Sequence, residues 1–281
     1  ILVCLVGSEM CIRDSGYVEN LPFEVTGYTK YGQMLTDITI TSPKQETTLT
    51  PMNDMDIQHI RDNWHRAGVS GEFRLLVATA INSGLRAIEV ADLKPRHVKV
   101  PKGFRGKTFT NIKIGNSHGC RTKFGTNRVI SMPVWLMEQL SKYCESERYK
   151  ERARLYFYNT GDEDAPIFIT KEGNRFKEEN EKSNSIDALW SKLRSAIKEN
   201  SNPHFDHIFH DTRVTFLANK FELLVNIDDI TTSQALKLLK DEAGHKDLSV
   251  TMHYLTHWEG NPTKNQVPEL MMNLLDEADI L

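Results

Sequence analysis

One segment interrupts a chain whose apolar residues otherwise recur mostly at helical spacing. Residues 97–133 alternate in polarity or carry β-branched residues between Gly-rich turns, in three short runs: "HVKV", "TFTNIKI" and "NRVISMP". Helical periodicity precedes this segment, as in "GEFRLLVATAIN", and resumes after it. The pattern predicts an α+β fold that is mainly α-helical and contains one small antiparallel β-sheet.

The helical segments can be bounded by their caps and their apolar spacing. The first begins near Asn53 or Asp54, since both residue types are common N-caps. A single long helix is predicted over residues 134–158, directly after the sheet. Amphipathic helices then follow at residues 185–200, 209–224 and 233–243.

Polar residues of four types occupy breaks and ends of these elements: Arg86, Lys123, His210, Arg213, His245 and Tyr254. Arg86 follows a buried helix, where an arginine is costly unless its charge meets a partner. His210 and Arg213 lie three residues apart at a helix start and share one face. Each residue alone has an ordinary structural explanation, but their order and spacing favour a common site. No carboxylate is needed to explain the set.

Three blocks of sequence resemble the signatures of the tyrosine recombinase (phage integrase) family. "SGLRAIEVADL" resembles its GLR-x-x-E block, "HDTR" its H-x-x-R block, and "AGHKDLSVTMHY" its GH block with a nine-residue step to tyrosine. Block order and intervals also fit, over roughly residues 48–260. Thr212 replaces the family's usual leucine. The resemblance implies the catalytic-domain fold of that family.

The resemblance also implies an activity, namely that of a site-specific DNA recombinase or integrase. Such an enzyme cuts and rejoins DNA strands through a 3′-phosphotyrosyl intermediate, without a metal ion, other cofactor or ATP. Tyr254 matches the nucleophile of the family. Arg86 and Arg213 match two arginines that would bind the non-bridging phosphate oxygens, because guanidinium groups bind such oxygens in bidentate fashion and remain charged.

The remaining matched residues would move protons or hold the phosphate. His210 would accept or orient the proton of the phenol, and His245 would hydrogen-bond the phosphate. Lys123, on the predicted hairpin, would protonate the departing 5′ oxygen. Lys107 and Lys113 lie nearby in sequence and are alternative candidates for this acid.

Two other functions compete with this interpretation. His204, His207 and His210 recur at three-residue steps, a pattern that a metal-dependent hydrolase could use. On a helix, however, residues at this spacing drift around the axis, which disfavours convergence on one ion. The other alternative is a DNA-binding protein of the same fold without recombination activity.

Charge and composition restrict the partners. The net charge is −3, but residues 48–257 carry 31 basic and 27 acidic groups, so the acid is concentrated in the tails. This distribution allows duplex DNA as a partner. The resemblance adds other protomers in a DNA-bound tetramer. No apolar run approaches the roughly 20 residues that span a membrane. Four cysteines without CxxC spacing fit a reducing cytoplasm.

The chain is expected to divide into four parts. Residues 1–15 look foreign to the rest and resemble a tail found at the ends of unrelated translated gene fragments; a native frayed terminus is the alternative. Residues 16–47 would be a linker or the remnant of an upstream core-binding domain, and residues 48–265 the catalytic domain. Residues 266–281 would form a C-terminal helix, which either packs on its own domain or is exchanged between protomers.

Overall fold

The computed structural model describes residues 25–28, 34–36, 49–177 and 185–255, which belong to two compact units, Ile1–Thr48 and Leu49–Leu281. In the first unit, strand β1 (Val25–Tyr28) pairs antiparallel with strand β2 (Met34–Thr36). The sequence predicted only a linker or domain remnant here, so this short hairpin is an addition to that prediction. The predicted tail at 1–15 and C-terminal helix at 266–281 lie outside the described residues.

The second unit is built mainly of helices. In its described part they are α1 (Asp54–Ala67), α2 (Gly71–Ser83), α3 (Ala87–Ala91), α4 (Val134–Glu145), α5 (Glu147–Thr160), α6 (Ser185–Asn200), α7 (Asp211–Val225), α8 (Thr232–Ala243) and α9 (Leu248–Leu255). Strands β3 (Thr108–Ile114) and β4 (Arg128–Pro133) form one antiparallel pair, in which Ile114 lies opposite Arg128. The predicted α+β class, mainly helical with a small antiparallel sheet, is confirmed.

The run "HVKV" was predicted to be a strand, and this prediction is wrong. Pro95–Val98 is a short 3-10 turn that packs against α4. Proline fits the first turn of a helix because it needs no N–H partner there. The ring of His97 also caps the turn, since its Nδ1 accepts a hydrogen bond from the backbone N–H of Lys94 at 2.9 Å. Local capping therefore outweighed the β-branched composition.

The long helix predicted over residues 134–158 is also wrong, because two helices occupy this stretch. Ser146 separates α4 from α5 with an extended backbone conformation, φ −67° and ψ 151°. Its hydroxyl accepts a hydrogen bond from the backbone N–H of Tyr149 at 3.2 Å, which caps α5. Serine competes with the helical backbone in this way wherever a chain can turn.

Helix α7 lies at the centre of the elements that carry the polar residues described above. It packs against α2, α8 and α9, and β4 packs against α2 and α8.

Two glycines with positive φ end α2 and α8, and both stand in close contact with neighbouring side chains. A Cβ on Gly84 would lie 2.3 Å from the Phe216 ring, and one on Gly244 would lie 2.8 Å from Cδ of Arg128. These tight turns bring Arg86 and His245 next to α7.

No helix in the described ranges is both long and apolar enough to cross a bilayer.

Candidate active site

Arg213 is the buried residue on which the site is built. It lies in the first turn of α7, and only 1% of its surface is exposed. Its Nη1 donates to the carbonyl of Gly84 at 2.5 Å and its Nη2 to the carbonyl of Ala243 at 2.6 Å. Burial, with a contribution from the nearby Arg86 charge, lowers the pKa of Arg213 to about 10, so the side chain is still cationic at neutral pH. Arg213 thus joins the C-terminal ends of α2 and α8.

His245 is held between α7 and α9. Its Nε2 lies 2.9 Å from Nη2 of Arg213, and its Nδ1 lies 3.0 Å from Oγ1 of Thr251. Burial, together with the charge of Arg213, lowers the pKa of His245 to about 3, so the ring is neutral. Because a guanidinium can only donate, Nε2 accepts and Nδ1 carries the proton that it donates to Thr251.

Tyr254 lies on α9 with its ring against both histidines. The ring stacks on His245, with centroids 5.1 Å apart and planes inclined by 20°. Its hydroxyl lies 2.8 Å from Nε2 of His210, the residue directly before α7. Burial lowers the pKa of His210, and the charge of Arg213 adds to this effect. A neutral His210 can accept a proton from the phenol.

Arg86 is held in place by a buried carboxylate. Glu89 is fully buried, and its Oε1 accepts a hydrogen bond from Nη1 of Arg86 at 3.1 Å. Arg128, at the start of β4, donates to both oxygens of Glu89, at 2.8 and 2.6 Å. Burial acts to raise the pKa of Glu89, but the hydrogen bonds and charge of Arg128 outweigh it and hold the pKa at about 2. The Arg86 side chain remains 22% exposed.

The GLR-x-x-E block includes Glu89, but no role was predicted for this residue, and Arg128 was not predicted to belong to the site. A signal for Glu89 was available, because an acidic residue in the apolar run "AIEVADL" three residues after an arginine suggests a buried ion pair. No comparable signal marked Arg128, since its contact with Glu89 joins residues 39 positions apart.

An open cleft of about 1020 Å³ adjoins these residues, and Arg86, Lys123, Arg128 and His245 line it. Lys123 begins the 3-10 turn Lys123–Gly125 between β3 and β4, and its charge contributes to the lowered pKa of His210. Of the two alternative lysines, Lys113 lines a separate groove beside His97, and Lys107 precedes the far end of β3. Among these three lysines, Lys123 is the one that lines this cleft.

The three histidines considered as a metal site turn to different partners. His207 lies between two carboxylates, with Nε2 3.2 Å from Asp56 and Nδ1 3.1 Å from Asp211. Burial opposes its charge, but these two carboxylates raise the pKa of His207 to about 9. His210 faces Tyr254, and His204 is exposed. Within the described residues, no group of three or more His, Cys, Asp or Glu side chains could hold a metal ion.

No family model matches this sequence, and no curated protein matches it. Among solved structures, the fold is similar to that of XerH site-specific recombinase bound to difH substrate, with a TM-score of 0.50 at 16% sequence identity. The match covers 86% of this chain and 58% of the XerH chain. This chain thus spans less than two thirds of the length of XerH.

Two further structures match less well. XerA recombinase gives a TM-score of 0.46 at 13% identity, covering 84% of this chain and 67% of that one. The Tn1549 transposon integrase in complex with transposon right end DNA gives a TM-score of 0.44 at 15% identity, with the same two coverages. The likeness to XerH, together with the mainly helical unit and its two-stranded sheet, shows that this chain has the fold of a tyrosine recombinase catalytic domain.

Proposed function

We propose that this chain is a tyrosine site-specific DNA recombinase, which cuts and rejoins DNA strands through a 3′-phosphotyrosyl intermediate on Tyr254. The observation that carries the proposal is the 2.8 Å contact between the Tyr254 hydroxyl and Nε2 of a neutral His210, beside two arginines and an open cleft. A nucleophile in contact with a base and next to fixed positive charge is the arrangement that phosphoryl transfer requires. The XerH structure, whose fold is shared, is a complex with its difH substrate.

In the cleavage step, the Tyr254 oxygen attacks the phosphorus of a DNA phosphodiester while its proton passes to Nε2 of His210. Charge builds on the non-bridging oxygens, and Arg86 and Arg213 neutralise it. Arg213 has donors to spare for this purpose, because three of its five N–H groups are used in the contacts described above. His245 donates a hydrogen bond to the same phosphate once Arg213 releases Nε2 and the ring proton moves from Nδ1 to Nε2, with the Thr251 hydroxyl then donating to Nδ1.

The bond between phosphorus and the 5′ oxygen then breaks, and Lys123 protonates that oxygen as it leaves. The product is a 3′-phosphotyrosyl ester and a free 5′ hydroxyl. The energy of the original ester is retained in this link, so ATP is not required for rejoining. When a second 5′ hydroxyl attacks, its proton returns to Lys123 and the phenol recovers its proton from His210.

The domain organisation and partners proposed from the sequence are consistent with this function. The compact unit that begins at Leu49 would be the catalytic domain, and duplex DNA its substrate. Residues 16–47 would be a linker or the remnant of an upstream core-binding domain. The C-terminal helix predicted over 266–281 would dock on a neighbouring protomer and couple active sites in a DNA-bound tetramer.

The test of this function is covalent capture of DNA. A pool of nicked duplexes of random sequence is incubated with the protein, so that cleavage near the nick releases a short strand and traps the adduct. We expect an SDS-resistant complex whose DNA is attached to Tyr254, identified by peptide mass spectrometry. Tyr254→Phe lacks the attacking oxygen and should abolish this complex while leaving non-covalent DNA binding intact.

Tyr158→Phe is the matched control, because Tyr158 is 86% exposed on α5 and its hydroxyl has no role in the proposed site. This control should form the adduct as the unchanged protein does. Adduct formation by Tyr254→Phe would contradict the assignment of the nucleophile. DNA binding without any adduct by the unchanged protein would instead favour the DNA-binding alternative.

A further inference from the structure

The distribution of charge along the chain is uneven around the sheet. Residues 93–137 contain ten Lys and Arg residues and no Asp or Glu, although the whole chain has a net charge of −3. At the average frequency of the chain, about six acidic residues would fall in such a stretch. Soluble proteins usually intersperse the two signs on their surface, so a run of this kind indicates a region that faces negative charge.

Part of this positive charge is already used inside the protein. Lys94 and Arg121 lie near Asp92, Arg96 pairs with Asp164, and Arg128 pairs with Glu89. Lys123 lies in the cleft of the candidate site.

Five exposed residues remain, and we call them the basic surface: Lys99, Lys102, Arg105, Lys107 and Lys113. Across the ranges that the structure describes, none of the five forms an ion pair with a carboxylate. Their charge is therefore not offset locally.

The loop that carries most of the basic surface is ordered by its own contacts. The ring of Phe104 packs edge-on against Phe109, with centroids 5.2 Å apart. A Cβ at Gly106 would lie 2.7 Å from the Phe104 ring, so the ring packs directly over the backbone of this loop. The carbonyl of Lys107 accepts a hydrogen bond from the N–H of Val134 at 2.9 Å. A surface that is already ordered loses less entropy when it binds a partner.

The sheet connects this surface to the candidate site. The basic loop enters β3 at Thr108, and the other end of β3 lies opposite Arg128, beside the cleft. Strand β3 has seven residues and therefore spans about 20 Å. A DNA duplex rises about 3.4 Å per base pair, so this distance corresponds to roughly six base pairs.

We infer that the basic surface is a second DNA-binding site, in which Lys113 lies near the cleft and the four residues that precede β3 contact the phosphate backbone of duplex DNA about six base pairs from the phosphate cleaved in the cleft. This inference rests on the proposed function for the position of the duplex. The ligand chemistry is a row of phosphates, since lysine and arginine side chains without neighbouring acids bind backbone charge in a sequence-independent manner. The contact fixes the duplex along β3 and adds affinity without reading bases.

The experiment measures non-covalent binding, so its outcome is separate from covalent capture by Tyr254. Fluorescence anisotropy with a labelled duplex of about 30 base pairs is recorded over a range of salt concentrations. The test variant replaces Lys99, Lys102, Arg105 and Lys107 by Gln, and Lys102→Gln with Arg105→Gln serves as a smaller variant that perturbs only the loop tip. The control variant makes the same change of charge elsewhere, at Lys150, Arg154, Lys171 and Lys192, all of which are exposed.

We expect the fourfold variant to bind at least about tenfold more weakly at low salt. The slope of log Kd against log salt should fall by about 0.9 for each phosphate that the variant no longer neutralises. The double variant should show about half this change in slope, and the control variant little change. Equal effects in the test and control variants would overturn the inference, as would failure of the unchanged protein to bind duplex DNA at low salt. A larger effect on binding of single-stranded RNA or of anionic lipid vesicles than on binding of duplex DNA would also overturn it.

Discussion

Two halves of the candidate site are similarly buried but carry different charge. In the arginine half, Arg213 remains cationic although it is 1% exposed, and Arg128 and Arg86 share the ionised Glu89. In the ring half, His210 and His245 are neutral and stack or bond with Tyr254. Burial disfavours the charged form in both halves. The ordinary pKa of arginine is so high that a lowered value still leaves the side chain charged at pH 7. The ordinary pKa of histidine is near 6.5, so the same effect leaves the ring neutral.

The comparison shows how one small volume can hold both functions that phosphoryl transfer needs. Fixed positive charge must persist throughout the reaction, and the proton acceptor must be unprotonated when the reaction starts. Proximity to Arg213 serves both requirements, because its charge contributes to the lowered pKa values of His210 and His245.

Loss of fixed charge should have the largest effect. Arg86→Ala should lower the rate of adduct formation by about 10³-fold or more, because it removes a preorganised charge from the transition state. Arg213→Ala should have a similar effect and in addition weaken the fold, since the Gly84 and Ala243 carbonyls lose their donor. Single-turnover kinetics on the nicked substrate measure the rate. Arg154→Ala, at an exposed position of α5, is the control; an unchanged rate for Arg86→Ala would remove Arg86 from the site.

Loss of the buried ion pair should be visible in stability. Arg128→Met leaves Glu89 without its bidentate partner, and we expect the free energy of unfolding to fall by about 3–5 kcal/mol. Urea denaturation measures this loss. Adding Glu89→Gln to Arg128→Met removes the unpaired charge and should restore part of the stability. A loss below about 1 kcal/mol, the value typical of an exposed pair, would mean that the Glu89–Arg128 pair does not stabilise the arginine half.

Loss of the proton acceptor should affect rate and its dependence on pH. His210→Gln should slow adduct formation by about 10²-fold, within the usual range for a general base. Because the pKa of His210 is lowered, the unchanged protein should keep its rate at pH 7 and lose it only when the pH falls below the ordinary histidine range. The variant should lack this acid limb. His253→Gln is the control, since His253 is exposed on the same helix as Tyr254, and an acid limb that persists in His210→Gln would contradict the role.

His207 lies outside both halves and is a charged histidine three residues from the neutral His210. Its pKa is raised to about 9 by Asp211 and Asp56, against about 6.5 in the unfolded chain. The stabilisation is therefore fully present below about pH 6.5 and is lost as the pH rises through 9, and the shift corresponds to roughly 3 kcal/mol.

We expect the stability difference between the unchanged protein and His207→Gln to shrink by that amount between pH 6 and pH 10. Chemical denaturation at both values measures it, and groups that titrate equally in both proteins cancel in the difference. A difference that does not change with pH would show that the two carboxylates do not hold the charge of His207.

The fold class was predictable because it depends on local patterns. Apolar spacing identified helices such as α6 and α7, and β-branched runs identified β3 and β4. The errors arose where a single capping residue outweighed the pattern. His97 closes a 3-10 turn within a run that resembled a strand, and Ser146 divides what resembled one helix. Such side chain to backbone hydrogen bonds act over three residues and leave hydrophobic periodicity almost unchanged.

The candidate site was predictable only in part. The spacing of the signature blocks indicated which residues to consider, and the structure brings His210, Arg213, His245 and Tyr254 into mutual contact. The catalytic roles of these residues are predictions that the experiments above test. The ion pair between Glu89 and Arg128 was not foreseen, because it joins residues far apart in the chain and no local spacing indicates it.

The sequence by itself determined the order and type of the elements and the residue types available for chemistry, since both follow from local spacing. Only the tertiary structure decided which charged residues form ion pairs and which histidines are protonated. The pairing of Arg128 with Glu89 joins residues 39 positions apart, and the opposite charge states of His207 and His210 arise three positions apart in one segment. The pKa of a group depends on its solvation and on charges within a few ångströms, and these are set by packing between elements distant in sequence.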